Sequence, residues 1–143
     1  MTRFSLFSTC LVLMSFGPAL ADPPAPKVPK ELLEKRLEVA RKVFQENQIR
    51  FRNREGLVSD LFGWSERWLD AELAVSDKAA DRTKALKDHV DRSRDLERMA
   101  TNYARTGQGR QSDADAATYF RIEAEIRLAK EGVAANPAKP GKP

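Results

Sequence analysis

One histidine, one cysteine and seven glycines in 143 residues leave little for catalysis or metal chemistry to use. The cysteine, Cys10, lies in the apolar N-terminal stretch, so the chain beyond it has no disulfide, no zinc-thiolate set and no thiol nucleophile. Beyond that stretch no run of apolar residues approaches the roughly 20 needed to span a membrane. Period-two alternation and β-branched clusters are missing too, which argues against strands. Neither sign of charge dominates: 25 basic and 21 acidic residues give +4, interleaved along the chain, and this describes a solvated surface rather than a nucleic-acid stripe. Phosphate-cradling glycine loops, nucleophile elbows and metal-ligand spacings do not occur. No catalytic residue, metal ligand or cofactor is therefore expected.

The N-terminus has the composition of a secretory signal. Arg3 supplies the positive start, Phe4 to Phe16 is apolar with small polar interruptions, and Ala19-Leu20-Ala21 offers small residues for cleavage. Residues 1–21 are expected to be removed, which leaves an exported chain that is periplasmic or extracellular. A lipidated cysteine would have to close the apolar region, whereas Leu11 to Phe16 follows Cys10, so lipid anchoring is not expected.

Residues 22–29 hold Pro23, Pro24, Pro26 and Pro29 and read as an extended linker. Residues 134–143 read as a disordered tail rich in lysine and proline. Between them, a helical domain over 30–133 is expected to contain four helices. The first, about Lys30 to Arg54, carries Leu33, Leu37, Ala40, Phe44, Asn47 and Phe51 at alternating four-and-three spacing, with Gly56 as its stop. The second starts at Ser59 or Asp60 and presents Leu61, Trp64, Trp68, Ala71 and Val75. A fresh cap at Ser76-Asp77 opens the third, about Lys78 to Arg105, with Leu86, Val90, Leu96, Ala100 and Tyr103 inward and Gly107 and Gly109 at its end. Ser112 or Asp113 caps the fourth, whose Tyr119, Ile122, Ile126, Ala129 and Val133 are taken as the buried seam.

These segments echo each other. Gly56, Ser59 and Asp60 return 53 positions later as Gly109, Ser112 and Asp113, and Asp70-Ala71-Glu72-Leu73 returns as Glu123-Ala124-Glu125-Ile126. The pattern describes two copies of a helical hairpin, about 30–76 and 77–133. Short glycine loops make the helices of each hairpin antiparallel neighbours. The expected fold is all-α, two antiparallel hairpins forming either a bundle or an extended coiled-coil-like arrangement.

Three constellations invite a chemical reading. Trp64 and Trp68 suit an aromatic ligand platform or, since both sit on the seam, core filler between hairpins; the seam favours the core. The acidic pairs Asp70/Glu72 and Glu123/Glu125 suggest carboxylate chemistry, but residues two apart on a helix diverge by about 200°, so pairing with arginines such as Arg67 and Arg121 is expected instead. His89, flanked by Asp88 and Asp91 and without a Glu-x-x-His half-site, reads as a solvated helix residue.

Tyr103 to Gly107, then Ser112-Asp113 and the small residues Ala116, Ala117 and Ala124, resemble the helical-hairpin signature of TolC-family outer-membrane efflux proteins, and Phe51, Gly56, Ser59 and Asp60 resemble it in the first half. The resemblance implies a coiled-coil hairpin in an efflux or secretion setting. Family members are several times longer and carry barrel strands, so no pore is implied; Ala114 and Asp115 also depart from the aliphatic residue that usually follows the Asp. Trp64-Ser65-Glu66-Arg67-Trp68-Leu69-Asp70-Ala71-Glu72-Leu73, with the later Tyr119-Phe120-Arg121-Ile122-Glu123-Ala124-Glu125, is also similar to short secreted all-helical proteins of planctomycete-like bacteria. That likeness implies export and helices but no activity. The expectation is a non-enzymatic envelope protein that binds an envelope partner or itself through helix faces. The alternative is a module for an anionic envelope polymer or membrane surface that uses Lys139, Lys142 and the arginines ending the first helix. A small hydrolase or metal enzyme is the least favoured reading.

Overall fold

The computed structural model describes residues 28–135, with side chains to Glu131; the expected signal peptide, most of the linker and the tail from Asn136 lie outside the described residues. Four helices make up the fold: α1 (Lys30–Arg52), α2 (Val58–Val75), α3 (Ala79–Arg105) and α4 (Gln111–Ala135). Among the described residues there is no strand, so the fold is all-α.

The hairpins α1–α2 and α3–α4 are each tightly paired, and they meet mainly through α2 on α3. α4 also leans on α2, whereas α1 and α4 do not meet. The bundle is thus open along one edge. Its larger core joins Phe44 and Phe51 of α1, Val58, Leu61 and Phe62 of α2, Leu96 and Ala100 of α3 and Ala117 of α4. A smaller core sits toward the other end, where Leu69 packs on Ala85 and Leu86 with Leu73 and Leu128 beside them. The inward residues expected on α3 are buried or half-buried, because a four-and-three spacing holds one face of a 3.6-residue helix toward its neighbours.

Both hairpin turns close with the same hydrogen bonds. The Asn53 and Arg54 N–H groups reach the Ile49 and Phe51 carbonyls, and the Glu55 N–H reaches Arg50 at 2.9 Å. In the second turn Thr106 and Gly107 reach Asn102 and Ala104, and Gln108 reaches Tyr103 at 2.8 Å. Each partner sits 53 positions beyond its counterpart. The left-handed residue that ends the helix is Gly107 in the second turn (φ 68°) but Arg54 in the first (φ 66°), so Gly56 is not the stop expected there. Gly56 and Gly109 serve close approach instead: an added Cβ would lie 3.2 Å from the Phe51 nitrogen at Gly56 and 2.9 Å from the Tyr103 Cβ at Gly109.

The expected caps are displaced. α2 starts at Val58 behind an extended Leu57 with no side-chain cap, and α4 starts at Gln111, so Ser59, Asp60, Ser112 and Asp113 lie inside first turns. Asp60 and Asp113 there oppose the positive end of the helix dipole, and Asp113 also pairs with Arg110 at 3.2 Å. Ser76 comes closer to its expected role. It ends α2, accepts from the Lys78 N–H at 3.3 Å and donates to Asp81 at 2.7 Å.

The largest correction concerns α4. Tyr119, Ile122 and Ile126 face solvent, with Tyr119 58% exposed, and Ala129 is exposed beside them. The buried face is Ala114, Ala117 and Ala124. Small side chains let this helix approach α3 and α2 closely, while Phe120 stacks flat on Phe62 with centroids 4.1 Å apart. Ion pairs hold the rotation: Arg121 to Glu97 at 2.7 Å, Arg94 to Glu125 at 3.0 Å, Arg82 to Glu131 at 3.0 Å and Arg127 to Asp70 at 2.7 Å. Ala117→Leu is expected to lower unfolding free energy by about 2 kcal/mol through overpacking. Ile126→Ala should change it by under about 1 kcal/mol. Urea titrations that returned the opposite ranking would show that α4 is rotated.

Candidate functional site

The interior of the α2–α3 contact is polar. Ser65, three positions before Trp68, and His89, three after Leu86, fall on the inward seams of their helices and are buried at 3% and 1% exposure. His89 is therefore not the solvated residue expected. Ser65 Oγ lies 3.0 Å from His89 Nδ1 and accepts from Arg92 Nε, also at 3.0 Å. An oxygen that accepts from Arg92 keeps a second lone pair and its own proton, so the imidazole tautomer decides which of Ser65 and Nδ1 donates. Burial, reinforced by the positive charges of Arg92 and Arg127, lowers the His89 pKa to about 4, and Asp70 only partly opposes this.

Arg92 links this pair to the tryptophans. Its guanidinium lies 4.0 Å over the Trp68 ring and 6.0 Å from Phe44, and Phe44 and Trp68 meet at 5.3 Å. Glu72, 4.0 Å from Arg92 and 3.3 Å from Arg41, supplies the counter-charge. Desolvation moves the Arg92 pKa down, opposed chiefly by Glu72. Trp68 Nε1, Glu72 Oε2 and Arg92 Nη2 are buried without a protein hydrogen-bond partner, a pattern that buried water commonly satisfies. Trp68 thus bridges the hairpins, as its seam position implied, but it does so as half of a cation–π stack.

Trp64 is also half-buried and packs against the larger core, but its other side faces outward. It lines an open groove of about 430 Å³ between α1 and α2 with Leu32 and Val39, rimmed by Lys35, Arg36 and Arg67, and the Arg67 guanidinium stacks on it at 4.8 Å. One helical turn therefore separates a tryptophan between the hairpins from one that packs on the core and also lines a groove.

A cleft of about 390 Å³ opens beside His89, lined also by Glu66, Glu123 and Arg127. Burial raises the Glu66 pKa against the pull of Arg127. No group of three or more histidine, cysteine or acidic side chains suited to a metal exists among the described residues. The acidic pairs part as helical geometry requires: Asp70 goes to Arg127, Glu72 to Arg41 and Arg92, Glu125 to Arg94 and Arg121, and Glu123 accepts from the Tyr119 hydroxyl at 2.8 Å.

The turn residues Gly56, Gly109, Tyr103 and Asp113 come together at one end of the bundle. With Phe51, Leu57, Arg54 and Arg110 they enclose a pocket of about 250 Å³. Tyr103 packs on Phe51 at 5.7 Å and donates to the Arg52 carbonyl at 3.2 Å, and Arg54 donates to Gln108 at 2.8 Å. Gly107 stands apart, with open space around it. Ser59 and Ser112 are exposed and make no side-chain contact that defines a site. No helix among the described residues is long and apolar enough to cross a membrane. Comparison of the chain with protein-family models, curated proteins and solved structures finds no match in any of the three.

Proposed function

We propose that this is an exported, non-enzymatic helical protein of the cell envelope that acts by presenting helix faces to a partner protein. The observation that carries the reading is the inverted α4: alanines hold it to the bundle while Tyr119, Ile122 and Ile126 remain in solvent. A helix that spends its large apolar side chains outward has a contact to make. Export rests on the composition of residues 1–21, and the efflux or secretion setting on the resemblance of the two turns to TolC-family hairpins. A non-catalytic role is supported by the Ser65–His89 pair itself. Both residues are buried, and the serine oxygen accepts from Arg92 rather than facing a cleft, so the hydroxyl is poorly placed to attack a substrate.

The test is in-cell photocrosslinking from a probe at Ile122, with a matched probe at the exposed Glu31 as control, together with the mass of the secreted chain. A discrete protein adduct from position 122 alone, on a chain beginning at Asp22, is the expected result. Equal labelling from both positions, or a chain retaining residues 1–21 in the cytoplasm, would overturn the reading. A second reading draws on Arg50, Arg52 and Arg54, which are exposed and have no carboxylate partner among the described residues. With Lys139 and Lys142 they would hold an anionic polymer, and that binding would weaken steeply with salt.

A further inference from the structure

Two unpartnered surfaces of opposite character occupy different flanks of the bundle, since α1 and α4 do not touch. The first is the α1–α2 groove. Its apolar walls are Leu32, Val39 and Trp64, and Leu32 is 59% exposed. Its rim cations, Lys35, Arg36 and Arg67, have no acidic partner among the described residues, although Arg41, Arg92, Arg94, Arg121 and Arg127 are all paired. The acidic residues of α1 nearest in sequence, Glu31, Glu34 and Glu38, are exposed and do not line the groove.

The second surface is the α4 ridge of Tyr119, Ile122 and Ile126. Its flanking carboxylates, Asp115 and Glu123, have neutral partners only, the Gln111 amide at 2.9 Å and the Tyr119 hydroxyl at 2.8 Å. On α4 positions 115, 119, 122 and 126 fall three and four apart, so Asp115 continues the ridge and Glu123 borders it.

We infer that the α1–α2 groove of one copy receives the α4 ridge of a second copy. The inference rests on the helix-face reading and names the partner. An apolar trough rimmed by unpaired cations fits an apolar ridge edged by Asp115 and Glu123, which form no ion pair although Glu123 shares a cleft with Arg127 and Lys130, and both surfaces lie on the same chain. Pairing α4 with α4 would cover the ridge but leave the groove and its three cations uncovered. Groove-to-ridge contact covers both surfaces at once. The contact is head-to-tail: each added copy leaves one free groove and one free ridge, so assembly continues until the rotation closes a ring.

Sedimentation velocity on the purified mature chain, from about 1 μM to about 1 mM, reads this out. The intact protein is expected to give species larger than a dimer as concentration rises, and these should shrink as salt is added. A groove variant, Arg36→Glu with Arg67→Glu, and a ridge variant, Ile122→Glu with Ile126→Glu, should each run as a monomer. All four positions are at least partly solvent-facing, and unchanged thermal melting of each variant confirms folding. Mixed one to one, the variants should form a single dimer, because the first keeps a ridge and the second keeps a groove.

A mixture that stays monomeric overturns the inference. So does a groove variant that still dimerises while only the ridge variant is monomeric, which would show α4-to-α4 pairing. An intact protein that is monomeric throughout, yet still gives a foreign adduct from the Ile122 probe, would refute self-assembly and leave the interaction reading standing. Loss of both would refute the two together.

Discussion

Leu69→Ala is expected to be among the most damaging substitutions in the chain, lowering unfolding free energy by about 3 to 4 kcal/mol. Leu69 has 0% exposure and lies where the second core is thinnest, against Ala85 and Leu86 with only Leu73 and Leu128 to complete its surroundings. Helix backbones on both sides prevent collapse into the space left behind, which places the cost in the upper part of the range for such truncations. For a domain of this size the change corresponds to a fall in Tm of about 15 °C. Leu32→Ala is the matched control, since its side chain lies mostly in solvent and the loss should stay near 0.5 kcal/mol. Both values are to be read at one fixed, low protein concentration, because any self-association would add stability by mass action. Equal losses for the two variants would mean that α2 does not turn Leu69 into the bundle.

The sequence shows much of this arrangement for a simple reason. Leu, Phe and Val at three-and-four spacing mark the buried stripe wherever helices are held apart by large side chains, as on α1, α2 and α3. α4 misleads because hydrophobicity and burial part company there. Ile122 and Ile126 are more apolar than Ala117 and Ala124, so a ranking by hydrophobicity turns the helix outward-in. The contrary signal lies in the charges: Arg121, Glu125 and Arg127 flank the alanine stripe and meet Glu97, Arg94 and Asp70 on the neighbouring helices. A helix held by interhelical ion pairs must bring those residues to the contact, and the alanines come with them.

His89 was illegible for a related reason. Its neighbours Asp88 and Asp91 suggest a wet surface, yet Leu86, His89, Ser93, Leu96 and Ala100 follow the same three-and-four spacing as an apolar seam, and His89 and Ser93 are buried with it. Ser65 occupies the matching place on α2. Two polar residues in facing seams indicate a buried hydrogen bond, whereas either one alone indicates nothing. The Arg92 stack had no sequence signal, because its partners Trp68, Glu72 and Phe44 come from two other helices whose relative placement only the fold defines. The helix starts shifted by one or two residues: an extended Leu57 leads directly into Val58, and α4 begins at Gln111. Ser and Asp therefore enter the first turn instead of capping it.

Acidification should destabilise the protein in a window that His89 defines. In the unfolded chain the imidazole takes up its proton near pH 6.5; in the fold it does so at about 4. The folded state thus binds fewer protons between those values, so the His89 contribution is complete above pH 6.5 and is lost progressively as pH falls toward 4. The difference amounts to about 3 kcal/mol. Burial of the ring sets the sign, and the charges around it act in addition: Arg92 on α3 and Arg127 on α4 disfavour the imidazolium, and Asp70 on α2 opposes them. Glu66 and Glu123 line the cleft beside the ring. Glu66 pulls the other way, because its raised pKa lets the fold take up a proton more readily than the unfolded chain. The difference in stability between the native chain and a His89 variant, followed from pH 6.5 toward 4, therefore isolates the histidine. Since the chain holds a single histidine, its ring resonances can be followed by NMR without assignment ambiguity. The expected midpoint is about 4. His89→Asn, whose side-chain amide can pair with the Ser65 hydroxyl in place of Nδ1, should be less stable at pH 7 but flat between pH 6.5 and 5. A midpoint near 6.5 together with flat stability in the native protein would mean that the imidazole is hydrated and that the contact among Ser65, His89 and Arg92 does not form.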